Sequence, residues 1–158
     1  MAITQAMTNS FKVDILSGGM NFNTTNRALT VNTQDTFKIA LYYPAASASL
    51  DATTTAYTAT AEVSNSGTGY TTGGNTLSIS QVPVSSGTPS TTAYINFSNT
   101  SWGSTASFSA DGALIYNSSN SNKSVCVLNF GGTKTVTSGT FTIQFPTAGT
   151  GSSIIQIA

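Results

Sequence analysis

The chain has 158 residues, with five basic and five acidic side chains, no histidine, one cysteine and only 6% charged residues against 39% hydrophobic ones. A formal net charge of zero supplies no field to draw in a phosphate backbone, so nucleic acid is not an expected partner. The lone Cys126 excludes a disulfide within the chain, and the length suits one domain over residues 1–158 with a core that needs no metal or cross-link.

In chain order, "MAITQAMTNSFKVDILSGG" carries Ile3, Met7, Phe11 and Ile15 at every fourth position and stops at Gly18 and Gly19. This spacing predicts a short amino-terminal helix with one apolar stripe, and residues 1–19 are a candidate anchor segment. The stripe lies either on the domain's own sheet or on a neighbouring subunit. In "DTFKIALYY", Phe37, Ile39, Leu41 and Tyr43 alternate with Lys38, Ala40 and Tyr42, which predicts a half-buried strand ended by Pro44. From Ala45 to Gly74 the text is small, hydroxylated and glycine-rich, and reads as a long surface excursion with a helical turn at Thr55–Val63, either ordered against a partner or functional in itself.

Further strands are expected in "NTLSISQVPV" and in "TTAYINFSN", where Ala93, Ile95 and Phe97 share a face, with "SSGTPS" as the turn between them. Ala106, Phe108 and Ala110 share a face in "ASFSADGALIYN", and Asp111–Gly112 reads as a bulge or tight bend. "KSVCVLNF", "GTFTIQFP" and "SSIIQIA" complete the set. Strand-length runs without intervening amphipathic helices predict an all-β fold, an antiparallel sandwich or barrel-like domain with the short amino-terminal helix. Its inner faces are expected to hold Phe37, Ile39, Ile95, Phe108, Val125, Val127, Phe141 and Ile143, and Cys126 reads as a small buried hydrophobe.

Catalytic chemistry has little to work with. Without histidine the usual neutral-pH base and the commonest zinc or copper ligand are missing, and no "GxSxG" elbow accompanies the many serines. Asp14, Asp35, Asp51, Glu62 and Asp111 offer no reason to pair any two as glycosidase carboxylates; each reads as solvated or as a turn cap. "NSGTGYTTGG" lacks the lysine and following hydroxyl of a phosphate loop, and Asp111 has no neighbouring run of Asp and Asn oxygens to make a calcium site. No catalytic residue, cofactor or metal is therefore expected. Trp102 and Tyr116 are either core aromatics or exposed platforms for a sugar or a subunit. No basic, apolar and small-residue leader opens the sequence and no apolar run approaches about 20 residues, so the expectation is folding in the cytoplasm without membrane insertion.

The stretches "MAITQAMTNSFKVDIL", "DTFKIALYY", "TAYTATAEVSNSGTGYTTGGNTLS", "GALIYNSS", "NKSVCVLNFGGTKTVTSGTFTIQFP" and "IIQIA" together resemble a family of small structural proteins of tailed bacteriophages. The resemblance covers nearly the whole chain. It implies a non-enzymatic virion subunit, a capsid decoration (cement) protein first and a head–tail adaptor next, synthesised in the host cytoplasm. Its implied partners are the major capsid protein or other virion proteins, and further copies of itself. The alternative is a tail or fibre component with a carbohydrate- or receptor-binding role. Candidate interface residues are Met7, Phe11, Ile15, Trp102 and Tyr116. Asn129 and Gln156 are neutral where acidic or basic residues often stand in relatives, which argues against a salt bridge at either position.

Overall fold

The computed structural model describes residues 3–23, 33–43, 50–87 and 90–158. Its elements in order are β1 (Ala6–Met7), α1 (Asn9–Leu16), β2 (Phe37–Tyr42), β3 (Asn75–Leu77), β4 (Ile79–Gly87), β5 (Ser90–Phe97), β6 (Thr100–Asn117), β7 (Lys123–Ile143) and β8 (Ile155–Ile157). A five-stranded sheet in the order β1-β7-β6-β2-β3 faces a three-stranded sheet in the order β4-β5-β8. All named pairings are antiparallel, and the main core joins Phe37, Ile39, Leu41, Ile115 and Val125 of the first sheet to Ile95, Phe97 and Ile155 of the second. The fold is thus the expected antiparallel sandwich with one short helix near its amino terminus.

The helix is shorter than its apolar stripe. Thr8, in extended backbone, accepts a hydrogen bond on its side chain from the Phe11 N–H and so starts α1. Met7 therefore falls in β1, opposite Cys126, and Ile3 bridges Leu50. Gly18, at φ +73°, follows the helix in the left-handed region that favours glycine. Asp14, buried on the inner side of α1, meets Lys123 at the start of β7 at 2.5 Å and ties the helix to the sheet.

The strand β2 departs from the half-buried expectation. Phe37, Ile39 and Leu41 enter the inter-sheet core, and Ala40 and Tyr42 are buried on the opposite face in a second cluster with Leu50, Leu114, Tyr116 and Val127. Val127 therefore belongs behind the sheet and not between the two sheets. The cover is the excursion itself: Leu50, Tyr57 and Ala61 pack on that back face. The chain from 50 to 74 contains no helical turn at Thr55–Val63. It instead prolongs the sheet, since the Val63 N–H donates to Leu41 O and the Tyr43 N–H to Ala61 O. Residues 50 to 74 are thus held against their own sheet. The part before Leu50, with Pro44, lies outside the described residues, as does the tip of the "SSGTPS" turn.

The stretch "NTLSISQVPV" divides between β3 and β4, which belong to different sheets. "KSVCVLNF" and "GTFTIQFP" instead join into the single strand β7, which bends at Gly131 and Gly132, at φ +70° and +132°. The β6–β7 turn is held by Asn117, whose side-chain oxygen accepts from the N–H groups of Ser119 and Asn120. The expected irregularity at Asp111–Gly112 is a register shift between Ala110 and Gly112. A Cβ at Gly112 would stand 2.8 Å from Ile3 Cγ2 and collide with the Leu128 carbonyl, so the close approach requires glycine.

Candidate functional site

Two features stand out from the sandwich, an apolar groove at one end and a buried carboxyl cluster behind the large sheet. The groove encloses about 350 Å³ between α1 and the small sheet, with Phe11, Ile15, Met20, Pro83, Ile95 and Ile157 among its walls and, among the described residues, no charged side chain lining it. Among the described residues the exposed large hydrophobics are Val13 (64%), Leu16 (88%), Val82, Val84 and Ile157 (51%), and all five stand on α1, β4 and β8, the elements that help to wall the groove. On a single helix turn, Phe11 and Asp14 face inward while Val13 and Leu16 face out.

Behind the sheet, Glu62 is only 8% exposed. One carboxyl oxygen accepts from the Tyr70 hydroxyl and the Gly73 N–H, each at 2.6 Å, and the other accepts from the Tyr57 hydroxyl at 2.6 Å. The Tyr70 oxygen in turn accepts from the Leu41 N–H at 3.0 Å, beyond the point where β3 stops pairing with β2. Tyr116 donates to Gly73 O and Tyr42 to Thr58 O, and the rings of Tyr57 and Tyr116 stack at 4.6 Å. Both carboxyl oxygens are thus occupied from within, and the cluster fastens the excursion to the sheet. Glu62 is not the solvated or turn-capping residue that its sequence context suggests; Asp51, which accepts from Thr53 N, is one.

The same cluster fixes the alkaline behaviour. Burial first, and hydrogen bonding to the Glu62 carboxylate second, hold the Tyr70 phenol well above its usual range; burial and then the Glu62 charge do so for Tyr42. Burial pushes Tyr116 up to about 12, and Cys126 likewise to about 12. In the unfolded chain these groups lose their protons near their ordinary values, so rising pH favours unfolding. Stability is therefore expected to be level between pH 7 and 9, to sag as the cysteine of the unfolded chain ionises, and to fall steeply above about pH 10. Tyr42 and Tyr70 alone contribute roughly 1.4 kcal/mol each per pH unit there. Urea unfolding midpoints measured from pH 7 to 11 test this, and a flat profile through pH 11 would contradict it.

Of the five candidate interface residues, Ile15 lines the groove, with Phe11 completely buried at its floor. Met7 is partly buried against the core from β1. Trp102 is 3% exposed and packs between Tyr70, Phe108 and Phe141, so it is a core residue and not an exposed platform. Tyr116 is buried behind the sheet. Asn129 and Gln156 make local bonds: Asn129 Nδ2 donates to Ile3 O, and Gln156 Oε1 accepts from the Gly151 N–H. Asp111, weighed above as a calcium ligand, lies at the β6 bulge, and among the described residues no three acidic or cysteine side chains converge on one point. No family model, curated protein or solved structure matches the chain.

The groove residues Phe22, Pro83 and Ile157 were not singled out by sequence reasoning. Phe22 stacks on Phe37 at 4.4 Å with rings within 4° of parallel, which carries the segment after α1 across the core. Its signal was present as the one large aromatic in "GGMNFN". Pro83 and Ile157 are brought together only by the β4-β5-β8 order.

Proposed function

We propose that the chain is a non-enzymatic structural subunit of a bacteriophage virion, a capsid decoration (cement) protein or a head–tail adaptor, made in the host cytoplasm and acting in the particle. Its groove end seats on an apolar segment of the major capsid protein or of another neighbouring virion protein. The observation that carries this reading is that all five exposed large hydrophobics of the described residues stand on α1, β4 and β8, the elements that help to wall the groove, with Ile157 among its lining. Exposed apolar side chains gathered on neighbouring elements are a mark of a surface that is covered. The resemblance over most of the sequence supplies the setting, and an apolar partner segment is the occupant because the described walls of the groove are mostly apolar and none of them is charged.

The double substitution Leu16→Asp with Ile157→Asp alters two exposed side chains and is expected to leave the unfolding midpoint within about 2 °C, while lowering copies per particle at least about tenfold. Quantitative gels of purified virions and electron cryomicroscopy read the outcome. Density whose α1, β4 and β8 end meets the capsid or neck supports the proposal. Undiminished incorporation overturns the groove as the seat, and density confined to a distal fibre replaces both roles with receptor binding.

A further inference from the structure

A different surface raises the question of what lies beside β7. One edge of this strand is paired with β6 from Lys123 to Ile143. The other edge meets β1 at Cys126 and Val127, takes the Thr8 N–H on Val125 O, and receives the Asn129 side chain's contact with Ile3 O. From Phe130 onward, among the described residues, no strand pairs with it. An unpaired edge is a template for another chain, and proteins ordinarily blunt it by brevity, proline, irregularity or charge. Of the other edges, β1, β3 and β8 span two or three residues each, β4 carries Pro83 among shifts of register, and the β6 edge from Thr100 to Asp111, beyond its pairing with β2, is met by the loop at Thr68, whose carbonyl accepts from the Ser107 N–H. The long edge of β7 has no proline and Lys134 as its only ionisable side chain; its irregularities lie at Gly131, Gly132 and Ser138, all at positive φ, and at the register shifts it shares with β6.

The composition of this edge suits pairing. Thr133, Thr135, Thr137, Thr140 and Thr142 are exposed, and threonine favours extended backbone. Phe130, Val136 and Phe141 turn to the inner side, partly buried against the core. Beside them Phe130, Lys134, Phe141 and Ile143 help to line an open hollow of about 440 Å³. A strand added at the edge would extend the sheet with its backbone and cover these aromatics with its inner-facing side chains.

We infer that the β7 edge from Phe130 to Ile143 is a joint between two copies of this chain, paired antiparallel across a two-fold axis into one continuous sheet. Identical strands can meet edge to edge in this way because antiparallel pairing is self-complementary about a two-fold. Charge permits it: the two copies bring one lysine each, and these stand opposite only in the register centred on Lys134. The length permits it as well. At about 3.3 Å per residue the edge runs about 45 Å, and with side chains spanning about 10 Å across it the pairing covers about 900 Å² in total, just under the roughly 1,000 Å² of a stable specific interface and in the range of a weak, reversible one. The joint does not depend on the virion reading, since it needs only the purified chain.

Analytical ultracentrifugation of the purified protein, with hydrogen exchange at low and high concentration, tests the joint. The expected result is a monomer–dimer equilibrium in which amides from 133 to 142 slow at high concentration. Thr133→Glu with Thr137→Glu places like charges along the edge and is expected to raise the dimer dissociation constant at least about tenfold with an unchanged monomer unfolding midpoint. Thr137→Cys is expected to form an intermolecular disulfide under oxidation, whereas Thr72→Cys, exposed on the other side of the sheet order, is expected not to. A monomer at every concentration, a dimer whose 133–142 amides exchange as fast as in the monomer, or a closed trimer would each overturn the joint.

Discussion

Replacing Glu62 by alanine is expected to cost about 4 kcal/mol of folding stability, one of the two largest effects of any single substitution considered for this chain. The loss does not come from a salt bridge. It comes from the donors left behind: the Tyr70 hydroxyl and the Gly73 N–H both point at one carboxyl oxygen from buried positions. A buried donor stripped of its acceptor costs about 1–3 kcal/mol. The Tyr57 hydroxyl, less enclosed, can turn to water and adds less. For a chain of this size about 4 kcal/mol lowers the thermal midpoint by roughly 8–16 °C.

The conservative replacement Glu62→Gln sharpens the test. Its single carbonyl oxygen can still accept from Tyr70 and Gly73, but its NH₂ then faces the Tyr57 hydroxyl oxygen, which can accept in place of donating. A loss of about 1–2 kcal/mol is therefore expected, at most half that of alanine. Equal losses for the two variants would show that packing, and not the matched donors, carries the contribution of Glu62. The release should also be local: amides from 57 to 74 are expected to exchange faster in Glu62→Ala than those of the β6–β7 ladder.

What the sequence disclosed follows from the range of the interactions involved. Strand periodicity is a local property, so Phe37, Ile39, Ile95, Phe108 and Ile143 could be assigned to the core, and all are buried. Burial of the second face of β2 was hidden because it depends on Leu50, Tyr57 and Ala61 returning over Ala40 and Tyr42; alanine and tyrosine fit a wet or a dry face equally well. The helix start was within reach, since Thr8 is an N-capping residue type two positions into an extended run, but the four-residue spacing of Ile3 and Met7 concealed it. Glu62 lay in plain view between Tyr57 and Tyr70, yet nothing local distinguishes a carboxyl that gathers tyrosines from one in solvent. The groove was least legible, because Ile15, Pro83 and Ile157 meet only through the packing of α1 on a sheet whose strand order is β4-β5-β8.

The second large effect is expected at Gly74, where the excursion rejoins the sheet ahead of β3. Gly73 and Gly74 both adopt left-handed backbone, at φ +86° and +68°, and the two look interchangeable in the sequence. They are not interchangeable in space. A Cβ on Gly74 would lie 2.6 Å from the Ile39 carbonyl carbon and 2.8 Å from Ala40 Cα, driving into the backbone of β2, the strand next to the sheet edge. A Cβ on Gly73 would instead meet the Tyr116 hydroxyl at 3.2 Å and Lys38 Nζ at 3.3 Å, the far ends of side chains that can move aside. Gly67, at φ +68° with nothing within 4 Å of its Cβ position, isolates the backbone term. Gly67→Ala is thus expected to cost about 1 kcal/mol, the ordinary penalty for an L-residue in the left-handed region. Gly73→Ala adds a small displacement and is expected to cost about 2 kcal/mol, whereas Gly74→Ala must push apart the β2–β3 pairing and is expected to cost about 4 kcal/mol or more. Since a domain holds only about 5–15 kcal/mol in all, Gly74→Ala should give the lowest soluble yield of the three. Urea unfolding of the soluble fraction of each variant gives the order directly. Equal losses at Gly73 and Gly74 would mean that β2 yields to the added methyl, and that the close approach of the excursion to Ile39 does not fix the edge of the sheet.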